Sequence, residues 1–484
     1  MEHSRWIITV VLVEFLIRFG LSIRVIMRRR PVGVTMAWLA LIFVFPFVGA
    51  FVYLLFGELR LGNRRAKRAK IIHGPYVEWI KEQHELYNVN WEDLSDDSRS
   101  LSRLAEQISE IPAVPDNDLQ LIDQWSEAFD LLLADIESAE RTIHMVFYIW
   151  SAGGRADEVV EALIRASARG VRCRVLVDDV GSKHFLKTEQ VNRLRESGVR
   201  LNAALPAGLL RMLFVRFDLR MHRKIVVIDG SIAYTGSLNL VDPRYFKQDA
   251  GVGQWVDAMV RVRGPAVEGL GITFLEDWEL ESEEGVENLQ QIGDVHHLDA
   301  CGEMAVQVIP SGPLNESTEI QDILLMAIYA ARTELILTTP YFVPEDSLLT
   351  ALTSAARRGV NVTLVVPAQV DSMLVRLASQ AVKGDMLAAG IRVMLFNEGL
   401  LHTKSITIDG QISLFGSLNL DPRSLHLNFE ITLAVYDRDF TSQLRDLQQS
   451  YIAQSYPMDL EKWRRRTRFT SFTENVARLL GPLL

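Results

Sequence analysis

The sequence predicts an α/β protein made of two copies of one lobe related by pseudo-twofold symmetry, preceded by a two-helix N-terminal membrane anchor. Three observations carry that prediction. MHRKIVVIDGSIAYTGSLNL (221–240) returns 180 positions later as LHTKSITIDGQISLFGSLNL (401–420), both reading H-x-K, four residues, D, six residues, G-S-L-N-L. Each copy follows segments patterned alternately as strand and helix, which argues for mainly parallel sheets covered by helices. The first 60 residues contain two long apolar runs.

The bulk numbers suit this reading. A chain of 484 residues holds two domains and an anchor, and 48% apolar with 23% charged residues excludes a disordered or collagenous chain. Cys173 and Cys301 have no metal-type neighbours, so we expect two reduced thiols and no zinc site or disulfide framework. Net charge is −10, but residues 1–70 hold twelve Lys/Arg against three acids, +9, which leaves −19 on the rest. A basic end on an acidic body fits a membrane surface better than nucleic acid.

Trp6–Ile23 is apolar except for Glu14 and Arg18, four apart and able to pair on one helix face. Residues 32–56 carry no charge, long enough to cross roughly 30 Å of hydrocarbon. No small-residue cleavage site follows the first run, so both are expected to stay as an anchor over residues 1–60. Arg5 and the basic residues at 60–70 outnumber the four arginines at 24–30, which puts both termini in the cytoplasm. Arginines on both sides also fit a shallow hairpin that does not span.

A basic then acidic linker is expected over 61–120, with lobe 1 at 121–300 and lobe 2 at 301–484. In lobe 1, RTIHMVFYIW reads as a strand, ADEVVEALIRASARG as a helix closed by Gly170, and VRCRVLVDDVG as a strand leaving through a loop. TELILTTPYFV, DSLLTALTSAARRG and VNVTLVVP repeat that order, and ARGVRCRVLV aligns with RRGVNVTLVV without gaps, 189 positions apart.

Extended spacing puts His222 and Lys224 on one face, and likewise His402 and Lys404. Ser237 with Asn239, and Ser417 with Asn419, again share a face. An imidazole, an ammonium, a hydroxyl and an amide together suit a phosphate. If symmetry joins the copies, one imidazole attacks phosphorus and the other serves as acid and base, with lysines in place of a metal. Each histidine needs a carboxylate behind it, and Asp257 in QWVDAMV and Glu430 in LNFEITL are the candidates. Asp229 and Asp409 complete the motif's catalytic set, although their place at a strand end also suits bracing. LPAGLLRMLFVRFDLRM, which mixes Leu, Met212 and Phe214 with Arg211, Arg216 and Arg220, reads as an interfacial stretch, and EKWRRRTRF as a basic surface run.

These residues form the doubled H-x-K-x(4)-D-x(6)-G-S-x-N signature of the phospholipase D superfamily. The chain resembles the bacterial cardiolipin synthases of that superfamily over nearly its whole length, through PFVGAFVYLLFGE, FYIW, DDVGS, FLEDW, SGP, TTPYFVPED, NLDPRSLHLNFE and LLGPLL. The resemblance implies two phospholipase D-like lobes and transfer of a phosphatidyl group from one phosphatidylglycerol to another, giving cardiolipin and glycerol through a phosphohistidine. It implies His222 and His402 as nucleophile and acid/base, Lys224, Lys404, Asn239 and Asn419 on the phosphate, and Asp257 and Glu430 behind the histidines. Which lobe's histidine each acid serves is open. The first motif's Gly236-Ser237 and NLVDPRYF depart from family members that carry two glycines there, which bears on the acceptor. The expected partners are phosphatidylglycerol and cardiolipin in a bacterial inner (cytoplasmic) membrane, in a multi-pass protein with a cytoplasmic body, no cofactor, no metal and no nucleic acid. A homo-oligomer is left open. Hydrolysis by water, phosphatidylethanolamine as donor, nuclease activity and a non-catalytic scaffold are the competing readings.

Overall fold

The computed structural model describes residues 2–28, 32–57, 63–206, 216, 218–282, 294–313 and 319–479. The chain divides into two units, residues 1–66 with 207–219, and residues 67–206 with 220–484.

In the first unit, α1 (Glu2–Met27) matches the first apolar run, and Glu14 pairs with Arg18 at 2.5 Å. Its Arg5–Met27 portion is the one described helix long and apolar enough to cross a membrane. The second run departs from expectation. It forms two short helices, α2 (Val32–Val44) and α3 (Pro46–Phe56). Pro46 has no N–H to continue the ladder, and its ring clashes with the preceding turn, so the helix ends at Phe45 and restarts with Pro46 in its first turn. Trp38 and Tyr53 meet edge to face at 5.3 Å, whereas an unbroken helix would hold them about 22 Å apart. The two helices therefore fold back as a hairpin. Of the proposed interfacial stretch, residues 207–215 and 217 lie outside the described residues, while Arg216 bonds Asp218 at 2.6 Å.

The second unit begins within α4 (Asn63–Leu86). The expected linker is folded. The helix α5 (Asp96–Ser109) is capped by Ser95, and it buries Leu101 and Ala105 in the second lobe's core. The amphipathic spacing, not the acidic composition, decides its fate.

In the first lobe the strands are β1 (Ala113–Ile122), β2 (Thr142–Phe147), β3 (Arg172–Asp178), β4 (Arg200–Ala204), β5 (Arg220–Met221), β6 (Ile225–Ile228), β7 (Ile232–Gly236), β8 (Trp255–Val256) and β9 (Met259–Arg263). The second lobe contributes β10 (Met304–Ser311), β11 (Glu334–Thr338), β12 (Asn361–Pro367), β13 (Arg392–Phe396), β14 (Leu400–Leu401), β15 (Ser405–Ile408), β16 (Ile412–Gly416), β17 (Asn428–Val435) and β18 (Ser455–Pro457). The expected boundary at residue 121 falls inside β1.

One sheet runs through both lobes. Outward from the central β1–β10 pair, lobe 1 reads β9, β7, β6, β2, β3, β4, and lobe 2 reads β17, β16, β15, β11, β12, β13. The order is the same on both sides, and lobe 2 adds β18 at its edge, antiparallel to β13. The seam strand serves both lobes, since Ala113–Asn117 pairs with β10 and Asp118–Ile122 with β9. Buried Asn117 sits at the irregularity between the two halves. Its amide donates to the Val114, Pro115 and Met304 carbonyls and accepts from the Ala266 N–H, so the break leaves no polar atom of this side chain unmet. Two further pairs cross the seam, β5 with β17 and β14 with β8. Apolar cores lie on each lobe's sheet, one under helices α6 (Trp125–Ser138) and α7 (Arg155–Ala168), the other under helices 319–330 and 346–357.

Candidate active site

Both H-x-K elements lie at the seam, in extended three-residue links between β5 and β6 and between β14 and β15. The crossing pairs hold them there, since the His222 N–H donates to the Phe429 carbonyl at 2.9 Å and the His402 N–H to the Val256 carbonyl at 2.8 Å. The acids that back the histidines are therefore exchanged. His222 Nδ1 lies 2.7 Å from Glu430 Oε2, and His402 Nδ1 lies 2.6 Å from Asp257 Oδ1. Each carboxylate fixes the tautomer of the opposite lobe's imidazole and leaves Nε2 for a substrate.

The motif serines do not face the phosphate position, where they were expected. Ser237 Oγ donates to Asp257 Oδ1 at 2.6 Å and Ser417 Oγ to Glu430 Oε2 at 2.5 Å. The glycine before each serine permits this. A side chain at Gly236 would meet the Ala258 carbonyl oxygen at 2.5 Å, and one at Gly416 would collide with that of Ile431. That close approach lets each serine N–H bond the strand that carries the acid, at 3.0 Å to Ala258 and 2.9 Å to Ile431.

Asp229 and Asp409 are not at the site. Asp229 accepts from the backbone N–H groups of Glu140, Arg141 and Thr142 at 2.7–2.9 Å, and Asp409 from those of Arg332, Thr333 and Glu334 at 2.7–2.8 Å. Both adopt positive φ, 52° and 51°, at the hairpin turn. They brace the start of β2 and β11 at the far end of each motif strand, so their role is structural and not the catalytic one expected.

The lysines are buried. Lys224 Nζ donates to the His222 carbonyl at 2.7 Å and Lys404 Nζ to the His402 carbonyl at 2.6 Å. Asn239 Oδ1 accepts the Ile149 N–H at 3.1 Å, while its Nδ2 and Asn419 Oδ1 are buried without a partner. Burial drives Lys224 down to about 8 and Lys404 well below its ordinary value. Burial, against the pull of the carboxylates, lowers both histidines to about 4. Lys404 also bears on His222 and Lys224 on His402, so the two motifs share one electrostatic site. Glu430 and Asp257 stay below the ordinary carboxylate range despite burial, because the histidines and lysines favour their charge. The result is two neutral imidazoles, two ionised acids, the Lys224 ammonium with the Lys404 amine close by in the same field, and a carboxamide donor, a set that fits a phosphodiester anion.

Sequence reasoning missed several neighbours. Tyr148 lies against His222 at 4.9 Å, and Trp255 against His402 at 4.3 Å. Asn428 donates a third side-chain bond to Glu430, at 3.2 Å. Asp371 receives the Tyr341 hydroxyl at 2.7 Å and the Lys247 ammonium at 3.1 Å, and that ammonium lies 5.5 Å over the Trp255 ring. Tyr148 and Trp255 stood inside quoted segments, but only the fold turns them toward a histidine. Among the described residues there is no cluster of His, Cys, Asp and Glu suited to a metal.

A family model described as "Cardiolipin synthase, PLD-like domain" matches residues 132–258 and 324–451, and a "Phospholipase_D-nuclease N-terminal" model matches 19–58. The chain is 46% identical to cardiolipin synthase A of Erwinia tasmaniensis and 45% identical to that of Yersinia pseudotuberculosis, each over 96% of both chains. The crystal structure of phosphatidylserine synthase from Haemophilus influenzae shares the fold, with TM-score 0.60 at 12% identity over 80% of this chain and all of that one. With the doubled site assembled from both lobes, these matches establish that the chain belongs to the cardiolipin synthase family with phospholipase D-like domains.

Proposed function

We propose that the protein is a cardiolipin synthase that transfers the phosphatidyl group of one phosphatidylglycerol to a second, giving cardiolipin and glycerol. The crossed pairing of each histidine with the other lobe's acid carries this reading, because it leaves two oriented imidazoles over one cationic pocket. The donor's phosphodiester displaces the neutral state of the pocket. Burial holds both imidazoles neutral and the two lysines add to it; the donor's negative charge works against both, so one imidazole gains a proton on binding. The other attacks phosphorus through Nε2. The P–O bond to glycerol breaks, and the protonated imidazole delivers its proton to the leaving oxygen. The second phosphatidylglycerol then gives its hydroxyl proton to that imidazole, its oxygen attacks phosphorus, and the P–N bond breaks. Lys224, Lys404 and Asn239 hold the charge that builds on the phosphoryl oxygens. No metal or cofactor enters this scheme.

The lobes span 121–300 and 301–484 in this reading, with β1 as their shared seam. The enzyme works in the bacterial inner membrane. With α1 as the span and α2–α3 as a re-entrant hairpin, the arginines at 24–30 and the basic residues at 60–70 fall on one side, against Arg5 on the other. The positive-inside rule then puts the catalytic body in the cytoplasm and replaces two full spans with one.

The test supplies phosphatidylglycerol to the purified, detergent-solubilised protein and quantifies cardiolipin, phosphatidic acid and glycerol. Cardiolipin matched by glycerol, reduced about 10⁴-fold in His222→Ala and in His402→Ala, is the expected result. Phosphatidic acid without cardiolipin would make the enzyme a hydrolase. Cardiolipin only after phosphatidylethanolamine is added would reassign the donor.

A further inference from the structure

The helix at residues 468–479 is turned inside out. Phe469, Phe472, Val476 and Leu479, spaced three, four and three apart, form one stripe that faces solvent at 76%, 64%, 41% and 80% exposure. The opposite face carries Glu474 and Ala477, each only 3% exposed, toward the protein. A soluble surface helix places these faces the other way. Glu474 is held inside by an ion pair with Arg466, whose guanidinium lies 3.5 Å over the Trp463 ring, and Ala477 packs with Val343 and Ala378. The outward stripe is thus imposed by a buried polar anchor and not by loose packing.

Two further features say what covers it. Arg464, Arg465 and Arg468 are exposed at the start of this segment, on a body that is otherwise strongly acidic. The helix also lies at the rim of the active site. Its partner, helix 373–388, starts with exposed Met373, two residues after Asp371, which pairs with Lys247 at 3.1 Å, and that ammonium lies 5.5 Å over the Trp255 ring that packs against His402. Val343, under Ala477, donates its N–H to the carbonyl of Leu420, next to Asn419.

We propose that this face is an interfacial membrane-docking surface whose occupant is an anionic phospholipid bilayer. The phenylalanines and leucine enter the acyl boundary, the arginines meet lipid phosphates, and the mouth of the site rests at headgroup level. Apolar stripe and basic flank together match an anionic bilayer, whereas a protein partner for this acidic chain has no need of a stripe beside the site mouth. The proposal rests on the lipid reading of the site for its purpose, but its primary test does not need activity.

Full-length protein with Cys301→Ser receives one new cysteine, Phe472→Cys, or Arg195→Cys on an exposed lobe-1 helix, and an environment-sensitive NBD label. It is reconstituted into vesicles of phosphatidylcholine with and without phosphatidylglycerol. The 472 label is expected to shift to the blue by about 10 nm or more and to be quenched by lipids with spin labels on the acyl chain, more strongly with phosphatidylglycerol, while the 195 label is unaffected. Equal behaviour of the two labels would overturn the proposal, and so would a 472 signal that appears only on adding a second protein. Separately, Phe469→Ser/Phe472→Ser is expected to slow transfer at least fivefold in vesicles and leave transfer between dispersed short-chain lipids within about twofold. Equal loss in both assays means that the face supports folding and not docking. If no variant forms cardiolipin but the label still shifts, the reaction is misassigned and the docking surface stands.

Discussion

The two halves of the active site have the same chemistry and different support. Around His222, the carboxylate Glu430 receives Ser417 and Asn428 as well as the imidazole, and the ring lies against Tyr148. Around His402, Asp257 receives Ser237, its Oδ2 is buried without a partner, and the ring lies against Trp255. Between histidine and lysine stands Arg223 in one copy and Thr403 in the other. Arg223 is locked into Asp277 at 2.7 Å and the Glu430 carbonyl at 3.0 Å, whereas the Thr403 hydroxyl meets Val256 and Tyr451 at 3.3 and 3.2 Å. After duplication, the reacting groups were kept and the scaffolding diverged. The comparison teaches that the same pair of reacting groups can be held in place by unequal scaffolds.

The largest expected effect tests the exchange itself. Glu430→Gln and Asp257→Asn should each lower transfer by about 10² to 10⁴-fold, since an amide no longer selects the reactive tautomer. Titration of isotope-labelled histidines should show Glu430→Gln altering His222 and sparing His402. An effect on the same-lobe histidine would break the crossed arrangement.

The support should differ next. Arg223→Met strands the Asp277 carboxylate in the interior and is expected to cost about 3–5 kcal/mol of stability in chemical unfolding. Thr403→Val removes two long hydrogen bonds and should cost no more than about 1 kcal/mol. Equal losses would mean that the halves are equivalent scaffolds after all.

The smallest effect is in pH. Lys224 is lowered to about 8 by burial, so it is charged below that pH and neutral above it. The kcat/KM for an anionic donor should therefore fall above about pH 8, roughly tenfold by pH 9. Lys224→Arg, permanently charged, should flatten that limb even if its plateau is lower. A limb unmoved by the arginine would assign it to another group, Lys404 being the nearest.

Much of this was legible in the sequence because its signals are local. The doubled motif, the strand–helix alternation and the pairing of Glu14 with Arg18 all depend on residues close in the chain. The acids Asp257 and Glu430 were legible as buried carboxylates, but their exchange was not. It follows from β5 reaching β17 and β14 reaching β8, contacts that join residues about 200 and 145 positions apart. Ser237 and Ser417 were placed on the right face and given the wrong partner, because spacing tells direction and not distance. Asp229 and Asp409 were legible as turn residues, and only the motif suggested a catalytic part for them. The absence of charge and the length of 32–56 say nothing of its path, and the break lies in the single residue Pro46. Within the expected linker at 61–120, the helix at 96–109 was hidden by acidic composition, although Leu101, Leu104 and Ala105 have helical spacing.

The exchange of acids has a consequence for synthesis. A ribosome delivers the first lobe complete with His222 and Lys224 some two hundred residues before Glu430 exists. Until then its imidazole has no base to orient it, and the nascent half is chemically idle beside the very lipids it is built to handle. The second lobe finds Asp257 already waiting. Activity thus switches on only when the last seam strand, β17, has been made and docked, so an unfinished chain is a harmless one.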